Sequence, residues 1–476
     1  MLTFEPYSVD ALRRVLPYLK QGTSRCSTLS AGFLYMWQAG ADVRFCVWHD
    51  TFMACHLLGD QPAFSWPIGA DPDGMIDELL LYVKEHDLSL RFFGIDEATL
   101  AVIRQDPRLR PVMAAYEAQW SDYLYSFSEA LTFKGRKFSG QRNHINKFKR
   151  LYGEPVVRFL EPADRAAALA MLDAFAEEHA DASAVERMER ERTRELLSLY
   201  ESLGMTAACL TVDGTIAAIS IGEVIGDMLL IHVEKALRRY EGAYPTMYNG
   251  FVRLMAAHTA RPLSIVNRED DAGDIGLRTS KQQYHPVGMA HKYLVHAHSP
   301  AARWDGKTGA SGGNAVLTPF RESDRAAYLA LSLDVDNNRY WGYDYREDVW
   351  LPEVIDEHTF FDAAWLDMQA GESVNLAVRL REDGEMIGEA IAWNFTENGA
   401  AELGCRLLPA YHGKGLGKAA FGALKSFAEQ TLHATPVAKC YKPNAASRRM
   451  IEANGLTLSR EDDTFFYFEP AGEATA

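Results

Sequence analysis

Three glycines at alternate positions, Gly413, Gly415 and Gly417, are interleaved with Lys414, Leu416 and Lys418 and preceded by Tyr411 and His412. Glycine lets a backbone approach a bulky anion, and a helix N-terminus offers unpaired N–H groups and the positive end of its dipole. From Leu416 onward Ala420, Phe421, Leu424, Phe427, Ala428 and Leu432 recur at helical spacing. The loop therefore opens an amphipathic helix, and a diphosphate is the group such a loop would hold. It is not a nucleoside-triphosphate loop, because the Gly-Lys-Ser/Thr ending is missing. A plain flexible turn is the competing reading, and the position of the loop weighs against it.

That position is set by a meander. An apolar run Val374 to Leu380, a turn at Glu382 to Glu385, a strand Met386 to Trp393, a turn at Glu397 to Gly399 and a strand Ala401 to Leu407 follow in order. In the last strand Ala401, Leu403, Cys405 and Leu407 alternate with Glu402, Gly404 and Arg406, so one face is core and the other carries polar groups. After the helix come a strand Val437 to Tyr441, a helix Ala445 to Ala453 stopped by Asn454-Gly455, and Phe465 to Phe468, which closes the sheet.

Over Leu317 to Phe468 the chain resembles the GNAT superfamily of N-acyltransferases, in particular the branch of ribosomal-protein N-terminal acetyltransferases. The resemblance rests on Glu402 to Leu407, on the glycine loop, and on Asn444 to Leu456. It implies an acyl-CoA co-substrate, acetyl-CoA or a related thioester, lying where the strands around Ala401 to Leu407 and Val437 to Tyr441 splay apart. Leu407, His412, Gly413, Lys414, Gly415, Leu416, Gly417, Lys418, Asn444 and Ser447 are the implied cofactor contacts, and no metal is implied. His412 stands where Gln or Arg is usual, and Ile451 stands where many members carry a general-acid Tyr. Amine acylation needs a base and an oxyanion donor. Glu402, at the start of the splayed strand, is the first choice for the base, with a salt-bridged strand carboxylate as the alternative. The segment Asn337 to Asp344, dense in aromatic and polar groups, reads either as an acceptor-binding loop or as ordinary packing.

Upstream, Lys134 to Arg150 carries seven Lys or Arg and no acid, within a chain of net charge −16. Asn143, Lys147 and Arg150 fall on one helical stripe, and Phe138, Ile145 and Phe148 on another. One face packs, and the other either meets an anion or is simply solvated. Residues 1 to 297 resemble the C-terminal domain of phosphatidylglycerol lysyltransferases. The carriers are Ser24 to Ser27, Phe33 to Trp37, Lys134 to Phe138, Arg142 to Phe148, Asn267 to Asp271, Gly276 to Arg278 and Tyr284 to Gly288. That family is built of tandem GNAT-like folds and transfers an aminoacyl group from tRNA to a lipid. The membrane helices that usually precede it are not seen in this sequence, which puts the lipid acceptor in doubt. The N-terminal candidates for substrate binding are Arg136, Lys137, Arg142, Asn143, Lys147, Asn267, Asp270, Arg278 and Lys281. For the last four, internal ion pairing is the rival reading.

The order meander, helix, strand recurs in Met205 to Tyr293 and, more faintly, in Arg44 to Asp96. The fold class expected is therefore α/β (α+β), with three GNAT-like units, each a mixed, mostly antiparallel sheet with a splayed strand pair. The expected domains are 1–297, with tandem folds over 1–133 and 151–297 joined by a basic helix 134–150, then an exposed linker 298–316 rich in Gly, Ser and Ala, then 317–470. In the second unit the diphosphate loop is degraded to Tyr240 to Pro245. Six scattered cysteines form no Cys-x-x-Cys pair, which argues against disulfides and zinc. No apolar run is long enough to span a membrane, and Met1 to Pro6 lacks signal-peptide character, so a cytoplasmic protein is expected. Three functions follow as expectations. The first is acyl-CoA-dependent acylation of a primary amine, on a small molecule or a protein N-terminus. The second is aminoacyl-tRNA-dependent transfer by the N-terminal region. In the third, that region is a non-catalytic acceptor-binding module.

Overall fold

The computed structural model describes residues 1–37, 42–58, 61–180, 183–348, 351–352 and 354–471. Among these the strands form three mixed sheets of eight, seven and eight strands. Each sheet holds an antiparallel meander, then a helix, then a strand parallel to the meander's last one. In the third unit the meander is Ser373–Arg379, Gly388–Trp393 and Ala400–Leu407, the helix Leu416–Gln430 and the parallel strand Thr435–Tyr441. In the second it is Thr206–Val212, Thr215–Ile225 and Met228–Ala236, with helix Ala243–His258 and strand Ile265–Asn267. In the first it is Val43–Trp48, Thr51–Leu58 and Gln61–Phe64, with helix Pro72–Glu85 and strand Arg91–Ile95. The threefold repeat expected from element order is thus present.

Amphipathic patterning explains how each helix is seated. Leu416, Ala420, Phe421, Ala423, Leu424, Phe427 and Ala428 are the buried residues of Leu416–Gln430, and they pack on Ala401, Leu403 and Leu407 of the adjacent strand. Removing a ring such as Phe421, which has no exposed surface, would cost roughly 3–5 kcal/mol.

The boundaries differ from those expected. Strand Asp122–Ser126 lies in the second sheet, between Ile265–Asn267 and Gly288–Ala290, while Tyr293–Ala297 returns to the first sheet beside Arg91–Ile95. The first two units therefore exchange strands rather than follow one another. They also share one core, in which Leu12, Leu34 and Phe52 meet Leu172, Leu196 and Ile219. The basic segment does not join them. It forms helix Ser139–Tyr152 and packs within the second unit, with Phe138 and Phe148 buried among Tyr248 and Phe251. The segment 298–316 is largely exposed over 302–314, but it is not a linker: Ser299 and Ala301 are buried, and Ala310–Gly312 pairs with Ala315–Pro319 as the first strand of the third sheet. A last difference is at the far edge, where Leu456–Glu461 pairs outside Phe465–Pro470 and closes the sheet.

The first and third units touch through polar contacts. Arg91 pairs with Glu372, Ser89 donates to the Phe395 carbonyl, Glu397 lies 2.9 Å from His298 Nδ1, and Asn398 Nδ2 donates to the Lys84 carbonyl at 3.2 Å.

Candidate active site

Strands Ala400–Leu407 and Thr435–Tyr441 are paired only at Ala400, Ala401 and Glu402, opposite Thr435, Pro436 and Val437. Beyond Glu402 they diverge, and a cleft opens toward Leu407. On its other side the first strand pairs throughout with Gly388–Trp393, and the Leu408 N–H donates to the Ile387 carbonyl at 2.9 Å. Ladder alternation puts the Leu403 N–H on the Val437 carbonyl as the last rung of that pairing and turns the backbone N–H groups of Cys405 and Leu407 into the cleft. The splay thus supplies unpaired backbone donors.

The glycine loop stands at the open end of the cleft. Gly413 and Gly415 have φ of 72° and 75°, where glycine is the favoured residue, and a Cβ placed on either would meet open space. Gly415 is the N-cap of Leu416–Gln430 and supplies no side-chain cap, which leaves the helix N-terminus available to an anion. Lys414 Nζ donates to the Ala410 carbonyl at 2.7 Å, so its charge sits beside the loop. His412 Nε2 lies 2.9 Å from the Leu407 carbonyl oxygen, which ties the loop to the strand end. Gly417 faces Met450 Sδ at 3.6 Å from an added Cβ, and the Lys418 carbonyl accepts from Asn454. Asn444 caps helix Ala445–Glu452 by accepting from the Ser447 N–H at 3.1 Å. Ile451 is 1% exposed and belongs to the core.

In the other two units the corresponding cradle is closed to a diphosphate. In the second, a Cβ on Gly242 would lie 2.3 Å from the His144 carbonyl oxygen, so helix Ser139–Tyr152 covers the N-terminus of Ala243–His258. Its splay is filled as well. Past the paired residues Met228 to Leu230, Arg268 Nε bonds Glu234 at 2.7 Å and its guanidinium lies 4.4 Å and 4.6 Å from the Tyr248 and Tyr284 ring centres. In the first unit, helix Pro72–Glu85 begins on Asp71, which accepts from the Gly74 N–H, with Asp73 in the first turn. Those carboxylates repel a diphosphate.

On the polar face of the third sheet, Glu402 accepts from Asn394 Nδ2 at 2.9 Å and lies 3.7 Å from Lys439 Nζ. Trp341 and Trp393 converge over Gly404, where an added Cβ would sit 2.7 Å from the Trp393 ring and 3.1 Å from that of Trp341. Tyr340 lies against Tyr441, with ring centres 5.8 Å apart and planes tilted by 42°. The segment Asn337 to Asp344 is thereby brought over the splay. Cys405, on the opposite face, has its thiol pushed up to about 12 by burial and, secondarily, by Glu389.

Sequence reasoning missed the charged group behind this face. Glu389 Oε1 accepts from Tyr328 and Asn375 and its Oε2 from Arg406, and Arg406 Nη1 donates to Asn338 Oδ1 at 2.8 Å. The alternation that marked Glu402, Gly404 and Arg406 as one face was the available signal.

The N-terminal candidates separate into two sets. Arg136, Lys137, Asn143 and Lys147 are exposed; Lys137 pairs with Glu129 and Lys147 with Glu241. Arg142 turns inward and donates to the Phe133 and Gly135 carbonyls, so it is a cap and not part of the surface stripe. Asn267, Asp270, Arg278 and Lys281 are closed on the protein itself. Asn267 is fully buried and donates to Arg25 O and Asp122, Asp270 pairs with Lys292, Arg278 chelates Asp271, and Lys281 donates to three successive carbonyls from Arg268. Internal pairing is what the geometry shows for that cluster.

Residues 20–296 match the family described as phosphatidylglycerol lysyltransferase, C-terminal. The chain belongs to that family. Behind this region, residues 314–457 match the acetyltransferase (GNAT) domain. A conserved protein of unknown function from Bacteroides thetaiotaomicron is 25% identical, with a TM-score of 0.56, over 62% of this chain and 100% of its own. A GNAT-family acetyltransferase from Bacillus anthracis is 18% identical, covering 34% of this chain and 96% of its own with a TM-score of 0.29. An uncharacterised protein of Mycoplasmoides gallisepticum is 22% identical over 229 residues, 47% of this chain and 71% of that protein. The open cradle and splay therefore lie in the GNAT domain, and the filled cradle and the acid-capped one in the lysyltransferase-family region. No described helix is long and apolar enough to cross a membrane, and among the described residues no three His, Cys, Asp or Glu are grouped to hold a metal.

Proposed function

We propose that the GNAT domain transfers the acyl group of an acyl-CoA, acetyl-CoA first, to a primary amine. The observation that carries this reading is the contrast among three equivalent helix N-termini. Only that of Leu416–Gln430 combines open glycines, a nearby lysine and an unfilled splay. The diphosphate lies on Gly413 to Leu416 and the acyl arm along Leu403 to Leu407, where the Cys405 and Leu407 N–H groups meet the thioester oxygen as it gains charge. Glu402 takes the amine proton, and the amine enters past Trp341 and Trp393. Thiol release from acetyl-CoA, followed with a disulfide reagent over a polyamine, an amino-acid amide and a short peptide with a free N-terminus, tests it. Amine-dependent release is expected with at least one of them; none above hydrolysis sinks the reading.

A second reading concerns the lysyltransferase-family region. Lys134, Arg136 and Arg150 have no carboxylate partner among the described residues, which favours a phosphate-rich partner such as an aminoacyl-tRNA. Such binding weakens steeply with salt, and the doubly substituted Arg136→Glu/Arg150→Glu chain should show a shallower salt slope for tRNA. An unchanged slope leaves the region as an acceptor-binding module.

A further inference from the structure

We propose that Arg406 is a positioning residue, which holds the loop Asn337 to Asp344 over the open end of the donor strand and so places the acceptor amine against the thioester. The inference rests on reading the GNAT domain as an amine acyltransferase.

A guanidinium in an apolar interior is costly unless all its donors are used and its charge is balanced. Arg406 is 8% exposed and its partner Glu389 1%. Nε and Nη2 both reach Glu389 Oε2 at 2.8 Å, and Glu389 is held in turn by Tyr328 at 3.0 Å and Asn375 at 2.6 Å. These contacts fix the arginine on strands Ser373–Arg379 and Gly388–Trp393 and on helix Arg325–Leu333. The guanidinium also lies 5.6 Å from the Tyr328 ring centre, and its Nη1 is spent on the loop. Nη1 donates to Asn338 Oδ1 at 2.8 Å, and the guanidinium carbon lies 4.7 Å from the Trp341 ring centre. Asn338 passes the constraint on by donating to the Leu331 and Ser332 carbonyls. Its neighbour Asn337 donates to the Leu407 carbonyl at 2.8 Å, the same oxygen that His412 approaches from the glycine loop.

Two consecutive asparagines and a tryptophan thus grip residues 404 to 407 from above. The donor strand sets the height and register of the acceptor loop through the Arg406 side chain together with the Leu407 carbonyl. Lysine cannot substitute, because its single ammonium can keep the Glu389 pair but cannot also reach Asn338 or stack flat on Trp341. Arg406 itself points away from the cleft-facing backbone of Cys405 and Leu407, so acyl-CoA binding does not depend on it.

The test uses the full-length chain, with Arg406→Lys and Trp341→Leu as variants. The second leaves the buried Arg406–Glu389 pair intact and guards against a folding failure of the first. Hydrogen exchange of the 335–345 backbone without ligand, acetyl-CoA affinity by calorimetry, and KM against kcat for whichever panel amine is turned over best are the readouts. Loop exchange should rise about tenfold in both variants, and the amine KM about tenfold, with kcat and acetyl-CoA Kd within about threefold of the parent. Unchanged loop exchange in the two variants, or a loss carried by kcat with KM constant, overturns the proposal. If the parent chain fails to bind acetyl-CoA, the acyltransferase reading falls, while the exchange data still judge the positioning of the loop.

Discussion

Glu402 enters the site already engaged, with Asn394 donating to it and Lys439 nearby. As the base it must still gain a proton in the transition state, so Glu402→Gln should lower kcat by about 10²–10⁴-fold with acetyl-CoA affinity unchanged in calorimetry; a kcat within a factor of two would make it a strand carboxylate only. A second titrating residue acts on stability. His232 is buried between Glu223 at 3.2 Å and Glu269 at 2.8 Å. Burial opposes its charge, and the two carboxylates outweigh burial, raising it from 6.5 to about 9. A raised folded value stabilises fully below the unfolded one and is lost as pH climbs through the folded one. Urea unfolding should therefore show stability falling between pH 7 and 9.5 by roughly 2–3 kcal/mol, and His232→Gln should flatten that slope. The glycine loop and Glu402 were legible because chemistry there depends on local spacing. His232 was not, because its partners Glu223 and Glu269 come from a neighbouring strand and from beyond Ile265–Asn267, and Gly32, whose added Cβ would lie 2.2 Å from the ring, comes from another unit.

Among the elements, the two loop-to-helix junctions at Gly242 and Gly413 make a natural pair. Both are left-handed, at 83° and 72°, yet an added methyl meets a carbonyl oxygen at 2.3 Å in one and nothing in the other. Gly413→Ala should cost about 1 kcal/mol, the left-handed penalty alone, and Gly242→Ala at least about 2 kcal/mol because helix Ser139–Tyr152 must also shift. Equal midpoint shifts in urea would contradict the idea that this helix seals the second cradle. The meander strands of the second and third units were readable from the sequence to within a residue or two, since alternation and turn residues are local signals. The segment 298–316 was misread for a physical reason. Its small residues serve close packing: a Cβ on Gly312 would lie 2.9 Å from the Ala419 carbonyl oxygen and 3.3 Å from the Ala423 side chain, on helix Leu416–Gln430. The exchange of Asp122–Ser126 and Tyr293–Ala297 was equally hidden, because pairing across some two hundred residues, as between Arg91 and His296, leaves no local trace.

At the level of the whole molecule, a family region with one filled cradle and one acid-capped cradle carries a GNAT domain with an open one, and the two are clamped together. Arg91 and Glu372 are 8% and 14% exposed, so Arg91→Met leaves the Glu372 carboxylate facing His296, 3.4 Å away, without the guanidinium and should destabilise the chain by about 3 kcal/mol, seen as a lower thermal midpoint; a midpoint within a degree would mean the clamp is incidental. The central claim is that one cradle of the three receives the diphosphate. Calorimetric titration of the full-length chain with acetyl-CoA tests it most directly. One site per chain is predicted, weakened at least about tenfold by Gly413→Glu, which sets a carboxylate where the diphosphate would lie. A stoichiometry of two or three, or binding indifferent to Gly413→Glu, would contradict it.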